Sequence, residues 1–249
     1  MELAFLGTAG ALTTAHRDNT SLLVDNILVD CPGNVWGKME QLGFDPLSLE
    51  YIVITHGHVD HIYGLPSLLE MMRLAKRRRA LKIFVGADFE DLVNKMIALH
   101  QLQEHENSFP IEVFALPYRH GILFESDRFK IEFFPAKHSV RNIALKFCQN
   151  STVVYTSDTE PSDGIVYFAD KADVLIHEST SAYSLSGPIA GHSCARDAAK
   201  VASSAHVKSL YLVHIGPEID NHPQAALKEA CEFFDRDVTI PHDLEKLEI

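Results

Sequence analysis

The chain has 249 residues, of which 46% are hydrophobic, and a formal net charge of −12 at pH 7. This composition predicts a soluble globular protein with a sizeable core, and the negative charge argues against a protein that grips long nucleic acid over its whole surface. The four cysteines are scattered without a CxxC pair, which excludes a cysteine zinc site and a disulfide framework. No window is long and apolar enough to span a membrane and the start of the chain has no basic signal-like region, so we expect a cytoplasmic protein without membrane contact.

Short apolar runs alternate with helical patterns from one end of the chain to the other. Helical patterns cover 65–80, 88–106, 192–205 and 222–235. In chain order, the predicted strands are ELAFLG, SLLVDNILVD, YIVITH, KIFVG, IEVFAL, FKIEFFPA, IALKFCQ, TVVYTSD, VLIHES, SLYLVHIG and DVTIP. Hairpins early in the chain and strand-helix alternation later predict an α/β protein with mixed sheets flanked by helices, in one domain over residues 1–249.

The most informative motif is HGHVDH, which directly follows the apolar run YIVI. It places His56, His58, Asp60 and His61 within one short segment. Crowding these groups at the end of a buried strand costs desolvation and mutual repulsion unless a cation compensates. Neutral histidine nitrogen and carboxylate oxygen are zinc ligands, so the segment predicts a metal site, with the first two histidines on one ion and the last two residues on a second.

Three further residues follow apolar strands in the way such a site requires. His138 follows FKIEFFPA, Asp158 follows TVVYTS and His214 follows SLYLV. Taken alone, a histidine or aspartate at a strand end is more often a capping or hydrogen-bonding residue than a metal ligand. Strand ends gathered along one edge of a sheet would bring them to the HGHVDH segment.

These motifs resemble those of the metallo-β-lactamase fold superfamily over essentially the whole chain. The resemblance implies an αββα four-layer sandwich and two divalent metal ions, with Asp158 bridging them. Zn²⁺ is favoured, because His58 stands where flavodiiron relatives carry a glutamate, and Mn²⁺ or Fe²⁺ are alternatives. The implied ligands are His56, His58, Asp60, His61, His138, Asp158 and His214.

Finer motifs are similar to the ribonuclease Z branch of that superfamily. LGTAGALTTAHRDNTS resembles its N-terminal turn, and from it we predict substrate contacts for Arg17 and Ser21. LIHEST and GHSC resemble two further segments of the branch. They imply that His192 gives a proton to the leaving oxygen and that Glu178 orients it, with Asp60 taking the proton of the attacking water.

Structural alternatives exist for both of these residues. His192 would otherwise be a neighbour of a helix N-cap, and Glu178 a solvated loop carboxylate. His177 is predicted to be a packed structural histidine.

One departure from ribonuclease Z concerns its long tRNA-binding arm. The segment between His138 and Asp158 has room for one hairpin only, so the arm is absent and precursor tRNA is not the expected substrate. The basic run Lys76-Arg77-Arg78-Arg79 with Lys82 would touch phosphates or, as we favour, form the solvated end of a helix.

We therefore predict a binuclear phosphodiesterase for a small or cyclic nucleotide phosphodiester or a short RNA end. The positive centre left by two ions with Asp60 and Asp158 suits a phosphodiester anion. The alternatives are a hydrolase of a lactone, thioester or β-lactam, and a binding subunit that has lost its chemistry. The resemblance also implies a homodimer.

Overall fold

The computed structural model describes residues 1–126 and 129–249. Within these residues the chain forms two seven-stranded sheets, ordered β14-β1-β2-β3-β4-β5-β6 and β13-β12-β11-β10-β9-β8-β7. The strands are β1 (Glu2–Gly7), β2 (Ser21–Val24), β3 (Ile27–Val29), β4 (Tyr51–Ile54), β5 (Leu81–Gly86), β6 (Ile111–Leu116), β7 (Gly121–Glu125), β8 (Lys130–Ala136), β9 (Asn142–Cys148), β10 (Thr152–Tyr155), β11 (Val174–Glu178), β12 (Ser209–Val213), β13 (Asp237–Thr239) and β14 (Lys246–Glu248).

Helices connect the strands and cover the outer face of each sheet. They are α1 (Val35–Gln41), α2 (Val59–Ile62), α3 (Leu65–Leu74), α4 (Glu90–Leu99), α5 (Asp163–Phe168), α6 (Ala195–Ser204), α7 (Pro217–Asn221) and α8 (Pro223–Cys231). In the part of the chain that the structure describes, no helix is long and apolar enough to cross a membrane.

The core has three apolar layers, which is what makes this a four-layer sandwich. In β4, Ile52 and Ile54 pack against the helices while Val53 points between the sheets. The middle layer also contains Phe147 and Tyr155 from the second sheet, and a third cluster lies between that sheet and its own helices. The predicted αββα architecture is confirmed.

Each sheet is parallel in one half and antiparallel in the other. In the first sheet β3, β4, β5 and β6 are parallel neighbours. In the second, β10, β11, β12 and β13 are parallel, and β8 runs the same way because two antiparallel pairings separate it from β10. The carboxyl ends of β8, β10, β11 and β12 therefore lie at one edge.

Several predicted elements were too long. The predicted strand SLLVDNILVD is a hairpin, in which β2 and β3 pair around Asp25 at φ 50°. Helix α3 ends at Leu74 because Lys76 adopts a left-handed conformation, and the amide of Arg77 then bonds the carbonyl oxygen of Met72. Helix α4 likewise ends early, at Leu99, and Gln101 adopts a left-handed conformation with φ 52° shortly after it. Non-glycine residues in this conformation leave no sequence signal of the kind that a C-terminal glycine gives.

The basic run after α3 was also interpreted incorrectly in part. Arg77 is buried rather than solvated, and its guanidinium donates to the carbonyl oxygens of Leu47 and Leu49, each at 2.8 Å. Arg79 pairs with Glu50. Arg77 thus ties the chain after α3 to the segment before β4.

Candidate active site

The predicted site residues meet at the shared edge where the parallel strands end. His56 lies just beyond β4, and α2 follows it at once, carrying Asp60 and His61. From the second sheet come His138 after β8, Asp158 after β10 and His214 after β12. Because the two sheets face each other, their strand ends bring all seven predicted ligands together.

The first group of side chains consists of His56, His58, His138 and Asp158. The Nδ1 atom of His58 lies 3.0 Å from the Nε2 atom of His56 and 3.1 Å from that of His138. The Oδ2 atom of Asp158 is 3.7 Å from both of those Nε2 atoms.

The second group consists of Asp60, His61 and His214. The Oδ2 atom of Asp60 lies 3.4 Å from the Nε2 atom of His61 and 3.5 Å from that of His214. The Oδ2 atom of Asp158 lies 3.5 and 3.4 Å from the same two nitrogens. Asp158 is therefore shared between the two groups.

The donor atoms fit divalent cations by two criteria. Ligands at 2.0–2.1 Å from a tetrahedral ion lie about 3.4 Å from one another, close to the separations found here. In addition, the Nε2 atoms of His61 and His214 and the Oδ1 atom of Asp158 are buried and have no hydrogen-bond partner among the described residues. Buried polar atoms are normally partnered, so these atoms are those expected to face a metal ion.

The electrostatics of the first group also suit coordination. Burial and the neighbouring His61 hold the pKa of His56 well below its usual range. Burial and His138 lower the pKa of His58 as well. Both rings are therefore neutral at pH 7, which is the form that binds a metal ion.

Asp30 is a functional residue that the sequence reasoning missed. It lies immediately after β3, is fully buried, and its Oδ2 atom accepts a hydrogen bond from the Nδ1 atom of His61 at 2.8 Å. A carboxylate that accepts from Nδ1 keeps the proton on that nitrogen and fixes the orientation of the ring. The lone pair of Nε2 is then free to bind a metal ion. Its position after the apolar run NILV was the available signal, the same one that singled out Asp158.

His192 is held beside the cluster by a buried carboxylate. Its Nδ1 atom lies 2.9 Å from the Oε1 atom of Glu178, the last residue of β11, and 3.1 Å from the hydroxyl oxygen of Thr180. Burial lowers the pKa of His192, but the hydrogen bond to Glu178 and the negative charges of Glu178, Asp158 and Asp60 together outweigh it and raise the pKa overall. That direction favours the protonated ring that a proton donor needs.

The structural alternative for Glu178 does not describe its position, whereas His192 does lie two residues before a helix N-cap, Cys194. Glu178 is fully buried, and its carboxylate also accepts from the amides of Thr159 and Thr180, so it is not a solvated loop residue. Helix α6 begins at Ala195, after Cys194 and Asp197 form a capping box. His192 therefore precedes the helix and lies in a loop, whereas the prediction had started the helix at this residue.

Thr180 is a second residue that the sequence reasoning missed. Its hydroxyl donates to Glu178 at 2.9 Å and lies 2.9 Å from the Nδ1 atom of His214. It connects His192 and His214, and it is the last residue of the LIHEST motif, from which only Glu178 was given a role. His177, as predicted, is a buried histidine.

Arg17 and Ser21 lie in buried positions with partners inside the protein. The Nε atom of Arg17 is 2.7 Å from the Oδ1 atom of Asp220. The hydroxyl of Ser21 donates to the carbonyl oxygens of Val29 and Asp30. These contacts favour a structural role, and substrate contact by either residue stays a prediction.

A family model matches the chain over residues 1–240, that of the Anti-Pycsar protein Apyc1. The chain belongs to this family. Its similarity also extends to ribonuclease Z of Methanothermobacter thermautotrophicus, at 28% identity over 86% of each chain. Ribonuclease Z of Natronomonas pharaonis is 26% identical over 100% of this chain and 98% of its own.

Solved structures of similar fold cover nearly the whole of this Apyc1-family chain. The metallo-β-lactamase fold protein YhfI from Bacillus subtilis superposes with a TM-score of 0.79 at 24% identity, over 99% of this chain and 98% of its own. The short form of human tRNase Z reaches 0.80 at 22% identity, over 100% and 99%. The predicted resemblance to the metallo-β-lactamase fold and to ribonuclease Z is confirmed, and the chain is a ribonuclease Z-like, metal-dependent hydrolase.

Proposed function

We propose that this chain is a metal-dependent phosphodiesterase that hydrolyses a small or cyclic nucleotide phosphodiester or a short RNA end. The observation that carries the proposal is the hydrogen bond between His192 and the buried carboxylate of Glu178, beside the Asp158 that the two ligand groups share. An alkoxide leaving group needs a proton donor, whereas a thiolate leaves readily without one.

The proposed cofactor is a pair of divalent ions, most simply Zn²⁺. His56, His58 and His138 would hold one, Asp60, His61 and His214 the other, and Asp158 both. When bound, the two ions supply Lewis acidity toward the phosphoryl group and activate the attacking water.

In this proposal, His192 donates a proton and Asp60 accepts one. Because the Nδ1 atom of His192 is engaged by Glu178, the Nε2 atom is the one that offers a proton to the leaving oxygen. Asp60 lies beside His61 and His214, and its carboxylate would accept the proton of the attacking water. The names of the ribonuclease Z relatives support a phosphodiester as the bond that is cleaved.

The short connection between β9 and β10 in the second sheet supports a small substrate. Strands β9 and β10 pair as a tight hairpin, with Cys148 opposite Thr152 at its end. The segment where ribonuclease Z carries its arm is thus only a turn, which disfavours precursor tRNA. A homodimer and a cytoplasmic location remain part of the proposal and stay predictions.

The test is a comparison of hydrolysis rates on purified protein of known metal content. Bis-p-nitrophenyl phosphate is compared with a lactone, a thioester and a chromogenic β-lactam. We expect selective turnover of the diester that a chelator abolishes and added Zn²⁺ or Mn²⁺ restores. Turnover of the carbonyl substrates alone would overturn the phosphodiesterase and favour the alternative hydrolase, and no turnover by metal-replete protein would favour a binding subunit.

A further inference from the structure

The backbone of Gly191 connects the carboxylate of Glu160 to His138, one of the proposed metal ligands. The Nδ1 atom of His138 donates to the carbonyl oxygen of Gly191 at 2.6 Å. The amide of the same Gly191 donates to the Oε1 atom of Glu160 at 2.9 Å. Because a carbonyl oxygen only accepts, this contact places the proton of His138 on Nδ1 and directs the Nε2 lone pair at the cluster.

The conformation of Gly191 is suited to this connection. Its φ of +84° is one that residues with a side chain rarely adopt, and a Cβ atom there would lie 3.4 Å from the Nδ1 atom of His138. The glycine backbone can therefore approach the imidazole closely.

Glu160 is itself held in place by Lys137, the residue directly before His138. Its amide donates to the carbonyl oxygen of Lys137 at 2.6 Å, and its Oε2 atom lies 2.6 Å from the Nζ atom of Lys137. The lysine side chain is largely exposed, so this ion pair is worth little by itself. The contact that matters for the site is the one from Glu160 to the amide of Gly191.

The two ligand groups are supported in different ways. His61, in the second group, is oriented directly by the buried carboxylate of Asp30. The Nδ1 atom of His138, in the first group, instead contacts the carbonyl oxygen of Gly191, and the backbone N–H of the same glycine contacts Glu160. The link from His138 to Glu160 therefore runs through the backbone of one residue.

We propose that Glu160 is a positioning residue for the first metal group, acting on His138 through the backbone of Gly191. This inference rests on the proposed binuclear centre and assigns Glu160 to one ion specifically. It predicts that loss of Glu160 weakens the ion held by His56, His58 and His138, and leaves the ion held by His61 and His214 unaffected.

The experiment measures Zn²⁺ affinity of full-length variants by competition with a chromophoric chelator. In Glu160→Ala we expect one of two bound equivalents to weaken by about 10–100-fold, as is usual when a partner of a ligating histidine is removed. Glu160→Gln should bind both equivalents like the wild type, because its amide oxygen accepts from the same Gly191 amide. Lys137→Met is the matched control, since it removes the ion pair but leaves the Gly191 contact, and it should also retain both.

The outcomes separate this inference from the proposal on which it rests. A wild-type protein that binds fewer than two equivalents would contradict the binuclear centre itself. Two equivalents in the wild type with unchanged affinities in Glu160→Ala would overturn only the role of Glu160, as would an equal weakening of both ions. Thermal unfolding of the metal-free variants checks folding, and Gly191→Ala, which alters the same connection with Glu160 intact, provides the test if Glu160→Ala does not fold.

Discussion

His192 is set apart from four of the proposed ligand histidines by its exposure. Its side chain is 19% exposed, whereas those of His56, His61, His138 and His214 are 0–3% exposed. A ring that is held at Nδ1 by Glu178 and is partly exposed can offer a proton to a substrate.

Replacement of His192 tests this difference. We expect His192→Ala to slow diester hydrolysis by about 10²–10⁴-fold, the usual contribution of a general acid. Its Zn²⁺ content should equal that of the wild type, and exposed His105→Ala serves as the control. An unchanged rate, measured with bis-p-nitrophenyl phosphate, would remove His192 from the chemistry.

His58 tests the metal assignment itself, because its Nδ1 atom lies between two other ligand nitrogens. We expect His58→Ala to lose the ion of the first group and to be inactive, since it removes one of the three histidines that, with the shared Asp158, would hold that ion. Elemental analysis and the diester assay are the measurements. A variant that stays active and metal-replete would contradict the ligand set.

At the scale of elements, the connection from α3 to the strands depends on one buried arginine. The guanidinium of Arg77 also donates to the carbonyl oxygen of Ala80, so it links the residue just before β5 to the segment before β4. Arg77 contacts backbone oxygens. These contacts explain this residue of the basic run by a structural role, without phosphate binding.

Removal of this guanidinium should affect stability and leave catalysis intact. Arg77→Ala leaves several buried carbonyl oxygens without donors, and we expect the free energy of unfolding to fall by about 2–4 kcal/mol. Arg78→Ala, at an exposed position of the same run, should change it by less than about 0.5 kcal/mol. Urea denaturation gives both values, and a loss of diester hydrolysis in folded Arg77→Ala would restore the phosphate-binding interpretation.

Strand positions were predicted better than helix ends. Apolar runs located β4, β8, β10 and β12 because period and burial are local properties of the sequence. Helix ends at Lys76 and Gln101 depend on left-handed residues other than glycine. The start of α6 depends on a cysteine at the N-cap, which is not among the preferred capping residues.

For the whole molecule, metal binding should be coupled to folding. The ligands come from both sheets and meet only in the native state, so ions that bind there stabilise it by an amount that grows with concentration, about 4 kcal/mol at a thousand times the dissociation constant. We expect a chelator to lower the melting temperature and excess Zn²⁺ to restore it. A melting temperature that does not respond to either would argue against a centre that joins the two sheets.

We expect the overall charge and the short β9–β10 turn to limit which substrates can be held. With a net charge of −12, the chain should not retain precursor tRNA in a filter-binding assay at 150 mM salt, although it hydrolyses a small diester. Binding of tRNA at sub-micromolar concentration would show that the missing arm and the negative charge were given too much weight.

The sequence by itself determined the order of the proposed ligands and their placement at strand ends, because these follow from local periodicity and from motifs that are close together in the chain. The four-layer fold was implied by the resemblance that those motifs carry. Only the tertiary structure brought Asp30 to His61, Thr180 between His192 and His214, and Glu160 to the Gly191 peptide. It also buried Arg17 against Asp220 and Glu178 beneath His192. Such contacts join residues that are distant in the chain, and they depend on how side chains pack at the edge of two sheets, which no local pattern encodes.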